Sequence, residues 1–441
     1  MSKLSIPAWL VIVYGAWIAS GTALLKLPIA STQPISWVDA LFTAVSAVTV
    51  TGLIVVDTST AWTLFGQGVI MVLIQFGGLG LITFAVFVLS AVGARIDVSK
   101  QRYLAEELNI DTMGGLIPFV RRILGIFIVC ELVGMGLIAS QFVPEYGWGM
   151  GLWHSLFHSI SAFNNAGFST FSDSLMGWVE NPVIIWTISL QFILSGLGFL
   201  VLSELFRIRR WRRLSLHTRL MLIGTPLLIA TGVGGYALLE WTNPATLGRF
   251  DGGGLGGVWT KLQASWFEGV TPRTAGFNSM DTAGVTDATA LLTMVLMFIG
   301  GGATSTAGGI KVTTAFVLLL ATIAFFRRSG VIHIQQNEIG PSSGLKVMAL
   351  LFVGLMLIFT ALFVLVLSQE LDFLDAAFEV FSAFGTVGLS RGATGELDTL
   401  GKLTICVVMF LGRLGPLTLG FLLATKTPPR LHYPEGKVYL G

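Results

Sequence analysis

Uncharged apolar runs of about 18 to 25 residues, the length that crosses a ~30 Å hydrocarbon core as a helix, recur along the whole chain. Eight can be marked, near 7–25, 63–91, 123–143, 183–203, 220–239, 289–326, 347–368 and 403–424. Lys3 ahead of the first run and Ala19-Ser20-Gly21 within it resemble a signal peptide. No soluble mature protein follows, so the run reads as the first membrane helix. The sixth run is too long for one plain span. Gly300-Gly301-Gly302 and Gly308-Gly309 interrupt it, so a helix, a break and a second helix are expected.

Between the members of each pair of runs lies a shorter, moderately apolar segment, and these segments align with one another without gaps. They read DALFTAVSAVTVTGL from Asp39 to Leu53, HSLFHSISAFNNAGF from His154 to Phe168, and DAAFEVFSAFGTVGL from Asp375 to Leu389. Each has Phe, then Ser-Ala four residues later, then Gly followed by Leu or Phe. QASWFEGVTPRTAGF, from Gln263 to Phe277, keeps the aromatic and the Gly-Phe but has Val270-Thr271 for Ser-Ala and adds Pro272. It is the most divergent copy. The unit is helix, short amphipathic segment, glycine turn, helix, repeated four times, with repeats expected over 1–92, 93–205, 206–328 and 329–441. The fold class expected is therefore an all-α multi-span membrane protein: four M1-P-M2 repeats, eight spanning helices and four re-entrant pore loops, around one central pore.

Composition narrows the picture. Of 441 residues, 54% are hydrophobic and only 11% charged, against about 25% charged in a soluble domain, and 53 glycines allow close helix approach and broken backbone. The mean hydropathy of +0.80 fits a multi-span protein. The net charge of +2 is too small to imply nucleic-acid binding. Cys130 and Cys406 both lie in apolar runs, which makes a disulfide framework or a zinc site improbable.

The distribution of charge gives an orientation. Connections between repeats hold Arg95, Lys100, Arg102, Arg121 and Arg122, then Arg207, Arg209, Arg210, Arg212, Arg213 and Arg219, then Arg327, Arg328 and Lys346. Excess Lys and Arg marks cytoplasmic loops. Segments within repeats carry mainly acids, among them Asp57, Glu145, Asp173 and Asp281, and should face outside. Both termini are then cytoplasmic. A segment of about 14 residues entering from outside is too short to cross, so each should dip in and return.

Non-helical backbone at membrane depth is tolerated where it lines a water-filled path, since buried unsatisfied groups cost several kcal/mol each. Four such turns around one axis make a pore. Short helices directed inward aim partial negative charge at its centre, and carbonyls of the turns can replace the hydration shell of a monovalent cation. Any one of Gly52, Gly167, Gly276 and Gly388 alone would be read as close helix packing. Four in register point to the pore. Asp39 and Asp375 are expected to cap the short helices, with any attraction of cations at the mouth additional.

These turns and their flanking helices resemble the Trk/Ktr/HKT superfamily of potassium transporters over nearly the whole chain. The similarity is nearest to the membrane subunits of the bacterial Ktr type, through SAVTVTGLIVVDT at 46–58, HSISAFNNAGFSTFSDS at 158–174, RTAGFNS at 273–279 and GRLGPLTL at 412–419. The resemblance implies a selectivity filter of Thr49, Val50, Thr51 and Gly52; Asn164, Asn165, Ala166 and Gly167; Arg273, Thr274, Ala275 and Gly276; and Gly385, Thr386, Val387 and Gly388. Relatives that favour sodium carry Ser at the first filter glycine. Here it is Gly52, so K+ is the implied cargo, with Na+ as an activator whose site no residue reveals.

The break GGGATSTAGGIK comprises Gly300, Gly301, Gly302, Ala303, Thr304, Ser305, Thr306, Ala307, Gly308, Gly309, Ile310 and Lys311. It is neither a P-loop, since glycine–lysine adjacency and a preceding strand are absent, nor a mere kink, given its glycines and hydroxyls. The resemblance implies a flexible loop that obstructs the pore below the filter. Lys311 would hold it through a carbonyl or an acid. Arg413 stands where earlier repeats have Gly78 and Gly196. Two readings are open for it: an ion pair with Glu131, or, by the resemblance, an electrostatic barrier beneath the filter. His154 and His158, spaced like a metal pair, lack a third ligand and read as pore-helix surface positions.

An intramembrane enzyme would need paired carboxylates, a Ser with a basic partner or a metal cluster, and Glu131 is the only acid deep in a run. A carrier of larger solutes does not fit four narrow turns. The cytoplasmic loops are short and about 13 residues follow Pro428, so control is expected from outside this chain. The resemblance implies a bacterial inner-membrane homodimer, with one pore per protomer and an octameric ring of nucleotide-binding regulatory subunits as cytoplasmic partner.

Overall fold

The computed structural model describes residues 6–79, 116–208, 210–328, 332–334 and 337–415. The ends of the 63–91 and 403–424 runs, and Arg95, Lys100 and Arg102, lie outside them. The described residues are mostly helical, joined by turns and irregular segments, with a two-stranded antiparallel hairpin in which Ile332–Ile334 pairs with Asn337–Ile339.

Each apolar run is found as helix: Ile6–Leu25, Leu64–Leu79, Leu116–Phe163, Pro182–Gly196, Leu216–Glu240, Asp287–Phe298 with Val312–Phe326, Pro341–Ser368 and Thr399–Leu414. Three of these, Arg121–Phe163, Leu216–Glu240 and Gly344–Ser368, are by themselves long and apolar enough to cross a membrane. The outer surfaces of these and of Val312–Phe326 are apolar. Leu238 is 84% exposed, Phe326 79% and Leu367 76%, as expected of side chains that meet lipid rather than water.

The short helices between them are Trp37–Thr49, the C-terminal part of Leu116–Phe163, Gly254–Val270 and Phe373–Gly385. Leu116–Phe163 is broken by Gly147 at φ 75° and ψ 171°, three residues after Pro144, and a Cβ built on Gly151 would lie 2.7 Å from the Val143 Cα. The chain folds back there, and only glycine fits the approach. Trp37–Thr49 starts at Ser36, whose Oγ accepts from the Asp39 N–H and donates to the Asp39 carboxylate at 2.6 Å. Ser36, not Asp39, is the cap. Asp39 instead pairs with Lys402 at 2.7 Å and Asp375 with Arg391 at 2.6 Å, tying two short helices to neighbouring elements.

One span departs from the plain helix that its apolar run suggests. Pro182–Gly196 and Phe199–Arg207 meet at 93° across Leu197 and Gly198, and Gly198 has φ 100°. The cause lies in the break near residue 300: the Gly302 N–H donates to the Gly196 carbonyl at 2.8 Å, and the Phe199 N–H donates to the Thr304 carbonyl at 3.0 Å. Backbone groups freed by the bend are satisfied by the other irregular segment, as buried amides must be.

Candidate functional site

Each short helix ends in a turn of one geometry. Two residues before the glycine the backbone is left-handed, at Val50 (φ 56°), Asn165 (φ 59°), Thr274 (φ 69°) and Thr386 (φ 49°). The glycines themselves have φ of 93° at Gly52, 68° at Gly167, 79° at Gly276 and 95° at Gly388. Left-handed β-branched residues are strained by about 1–3 kcal/mol each, and such strain persists only where surrounding structure enforces it. Here helix-terminal hydrogen bonds enforce it. Val50 N–H donates to Ala47 O and Thr51 N–H to Ser46 O, and the pattern recurs from Asn165 and Ala166 and from Thr386 and Val387.

Ser46 and Ser382 add a bond that the sequence did not reveal. Their Oγ atoms accept from the N–H of Gly52 at 3.0 Å and of Gly388 at 3.1 Å. The third copy has Val270 there, and its ladder is shifted by one residue, with Arg273 N–H on Val270 O and Ala275 N–H on Thr271 O. In the second copy the equivalent Ser161 Oγ makes no such bond, so the shared Ser-Ala pair marks this role in two copies only.

The turns close on one another in cyclic order. A Cβ built on Gly52 would lie 2.3 Å from the Ala166 carbonyl oxygen, one on Gly167 2.9 Å from that of Ala275, one on Gly276 2.4 Å from that of Val387, and one on Gly388 2.2 Å from that of Thr51. First meets second, second third, third fourth, and fourth first. Real Cβ atoms do not approach carbonyl oxygens so closely, so all four positions admit glycine alone. Thr49, Thr51, Asn164, Ala166, Ala275, Gly385 and Val387 are buried with them, as is Arg273 at the start of the third turn.

Polar side chains brace the ring. Asn164 Nδ2 donates to Gln75 at 2.9 Å and to Glu131 at 3.1 Å, and Gln75 donates to the same carboxylate at 3.2 Å. Asn165 faces the other way. Its Nδ2 donates to Thr274 Oγ1 at 3.1 Å, while its Oδ1 accepts from Ser195 and, at 2.9 Å, from Thr306. One asparagine thus joins two turns, the bend at 196–198 and the break.

The break is bounded by a parallel bridge between Ile299 and Ile310 and packs against the turns. A Cβ on Gly300 would lie 2.1 Å from Gly308 O, and one on Gly308 2.2 Å from Thr386 Oγ1. Thr304 (φ 54°) and Gly309 (φ 65°) reverse its path. Lys311 Nζ donates to the Ala307 carbonyl at 2.6 Å. Arg413 donates from Nη1 to the Thr306 carbonyl and from Nη2 to the Gly77 carbonyl. Its ion pair with Glu131 is not formed, since that carboxylate is held by Gln75 and Asn164.

The family model for cation transport proteins matches residues 6–430. The chain belongs to the TrkH family. Among curated relatives it is 46% identical to "Ktr system potassium uptake protein B" of Bacillus subtilis, over 99% of this chain and 96% of that one. It is 38% identical to "Potassium/sodium uptake protein NtpJ" of Enterococcus hirae, over 96% and 94% respectively. The solved potassium transporter TrkH from Vibrio parahaemolyticus shares its fold, at a TM-score of 0.73 and 22% identity, covering 96% of this chain and 86% of the other.

In this TrkH-family chain, buried side chains also tie the strand leaving three turns back to the short helix before it. His158 Nε2 bonds Ser169 Oγ at 2.9 Å, Ser390 Oγ donates to Glu379 at 2.8 Å, and Glu268 Oε1 accepts from the N–H groups of Ser279 at 2.6 Å and Met280 at 3.0 Å. His154 Nδ1 bonds Thr170 Oγ1 at 2.6 Å, so both histidines have structural partners of their own. Glu268→Ala leaves two buried amides without an acceptor, which should cost about 2–4 kcal/mol. Glu268→Gln keeps a carbonyl acceptor and should cost markedly less. Thermal unfolding of both variants in detergent, followed by size-exclusion recovery, checks the order.

Proposed function

We propose that this chain is the ion-conducting membrane subunit of a potassium uptake system, selecting K+ with backbone carbonyls of the four turns. The observation that carries the reading is the cyclic contact of Gly52, Gly167, Gly276 and Gly388 with the carbonyls of the next turn. Each turn follows a helix C-terminus, whose partial negative charge favours a cation beyond it. A ring of carbonyls on four strained, braced turns suits a dehydrated monovalent ion. On this reading the architecture is four M1-P-M2 repeats around one pore in a bacterial inner membrane, with both termini cytoplasmic. The names of the Ktr relatives, which place each in a "system", support a partner for this chain; on this reading it is a cytoplasmic nucleotide-binding subunit, and this chain is a homodimer.

Residues 300–311 are the gate in this proposal. Lys311 and Arg413 place two cations on the adjacent carbonyls of Ala307 and Thr306, directly against the fourth turn, and so raise the barrier to a permeating cation. The partner acts by shifting this segment. A second reading, sodium permeation or K+/Na+ cotransport, is favoured by the name of the Enterococcus relative alone.

Reconstituted vesicles with defined K+ and Na+ gradients test the assignment. Rubidium uptake should be competed by K+ and only weakly by Na+, and should rise when the regulatory partner is added. Equal competition by Na+ would establish the second reading instead, and absence of cation flux at equal protein would sink both.

A further inference from the structure

A basic arm joins the bent helix Phe199–Arg207 to the span Leu216–Glu240. Arg207, Arg210, Arg212 and Arg213 are all exposed there, and none meets an acid among the described residues. Beside them Phe206 is 73% and Trp211 45% exposed. Arg121 and Arg122 are exposed at the foot of a neighbouring span, and Arg122 Nη1 donates to Ser203 in the bent helix at 3.3 Å. Arg209 lies outside the described residues.

Depth follows from helix length. The 25 residues of Leu216–Glu240 extend about 37 Å, more than the ~30 Å hydrocarbon core, so the arm that precedes this helix sits at headgroup level. Its shape is fixed by Glu204, which accepts from Ser215 N–H at 2.6 Å, from Ser215 Oγ at 2.7 Å and from Thr218 Oγ1. Guanidinium groups match phosphate oxygens in bidentate geometry, and an exposed Trp suits the interface between acyl chains and headgroups. Basic clusters beside a span attract anionic lipid. An aqueous protein surface would not require Phe206 and Trp211 to stand exposed among the arginines.

The other end of the same bent helix touches the break. Phe199 N–H donates to Thr304 O at 3.0 Å, Gly302 N–H to Gly196 O at 2.8 Å, and a Cβ on Gly198 would lie 2.6 Å from Ala303 O. The arm and the 300–311 segment are therefore the two ends of one nine-residue helix.

We propose that this arm binds the phosphate headgroup of an anionic phospholipid, and that bound lipid favours the arrangement in which residues 300–311 pack against the turns. A ligand stabilises the state it binds more tightly, and the arm is held at one end of the helix whose other end meets the packed segment; lipid that binds tighter in that arrangement therefore lowers the flux of the partner-free protein. This last consequence rests on the cation-path reading above; the binding itself does not.

Two measurements on the full chain separate them. First, protein exchanged from phosphatidylglycerol into detergent is examined by native mass spectrometry, with phosphatidylethanolamine as comparator. Wild type should retain phosphatidylglycerol at least about tenfold better than the variant R207Q/R210Q/R212Q/R213Q, and the matching Lys variant should recover much of the difference. Equal retention by wild type and the Gln variant overturns the site. Full displacement by soluble glycerol phosphate overturns the lipid in favour of a free phosphate. Retained lipid with lost binding of a cytoplasmic protein partner overturns it in favour of a protein-docking surface.

Second, rubidium flux is measured in vesicles of rising phosphatidylglycerol content. Wild-type flux should fall several-fold, and the Gln variant should lose that dependence while matching wild type in vesicles without anionic lipid. A dependence unchanged in the variant overturns the link to the gate. Failure of both proteins to move rubidium, with lipid retention as expected, counts against the cation-path reading and leaves the binding site standing.

Discussion

Gly52→Ser should reduce discrimination between K+ and Na+ by at least about tenfold, a change of ~1.4 kcal/mol in relative barrier. Two features of the position act together. Its φ of 93° is one that residues with a Cβ rarely adopt, and the added atom would stand 2.3 Å from the Ala166 carbonyl oxygen. The serine can be accommodated only if the second turn moves or its own peptide rotates, and either change displaces a carbonyl of the ring. Gly388→Ser meets the Thr51 carbonyl at 2.2 Å and should behave alike from the opposite side of the same contact. Gly15→Ser is the control, since a Cβ there meets nothing within 4 Å. Rubidium uptake competed with sodium in a potassium-uptake-deficient strain, at equal membrane expression, reads the effect. Unchanged selectivity in both filter variants would remove these glycines from the path.

What the sequence made legible was whatever repeats or runs continuously. Three aligned copies of Phe, Ser-Ala and Gly, and a fourth that keeps an aromatic and the Gly-Phe, disclosed the turns, because the Schellman-type ends recur at one spacing and in two copies, at Ser46 and Ser382, the serine also bonds the glycine. Apolar runs disclosed the helices, since lipid-facing surface must be apolar on every exposed side. Contacts between segments distant in the chain left no such mark. The bend at Gly198 lies in a run as apolar as any other, and its cause, the carbonyls and amides of residues 302 and 304, is a hundred residues away. Asn165 looked like its neighbour Asn164, yet one faces Glu131 and the other Thr306. Side-chain direction within a left-handed turn cannot be read from residue type. Arg413 was conspicuous as a charge in an apolar run, but acidic Glu131 drew attention as its mate where backbone carbonyls proved to be the acceptors.

That choice of acceptors sets the sign of the remaining prediction. An Arg that neutralised a buried carboxylate would, on removal, leave that acid uncompensated and reduce the amount of folded protein. Arg413 donates instead to Thr306 O in the break and Gly77 O in the Leu64–Leu79 helix, spanning two elements through their main chains. Glu131 keeps Gln75 and Asn164 whether or not Arg413 is present. Arg413→Ala should therefore preserve the yield of folded protein while releasing one tether of the 300–311 segment. Hydrogen bonds from a charged donor are worth about 1.5–3 kcal/mol, so the population with that segment displaced should rise on the order of tenfold. On the proposed gating, shortening the segment between Gly301 and Gly308 removes an obstruction and should act in the same direction, with weaker dependence on the regulatory partner. A packing kink predicts the reverse, because a shortened connection would misalign Asp287–Phe298 and Val312–Phe326. Flux per folded molecule, with protein quantified by size-exclusion chromatography in detergent, decides between them: a rise in both variants identifies the gate, whereas a fall in both would sink the gating assignment and leave the ring of four turns intact.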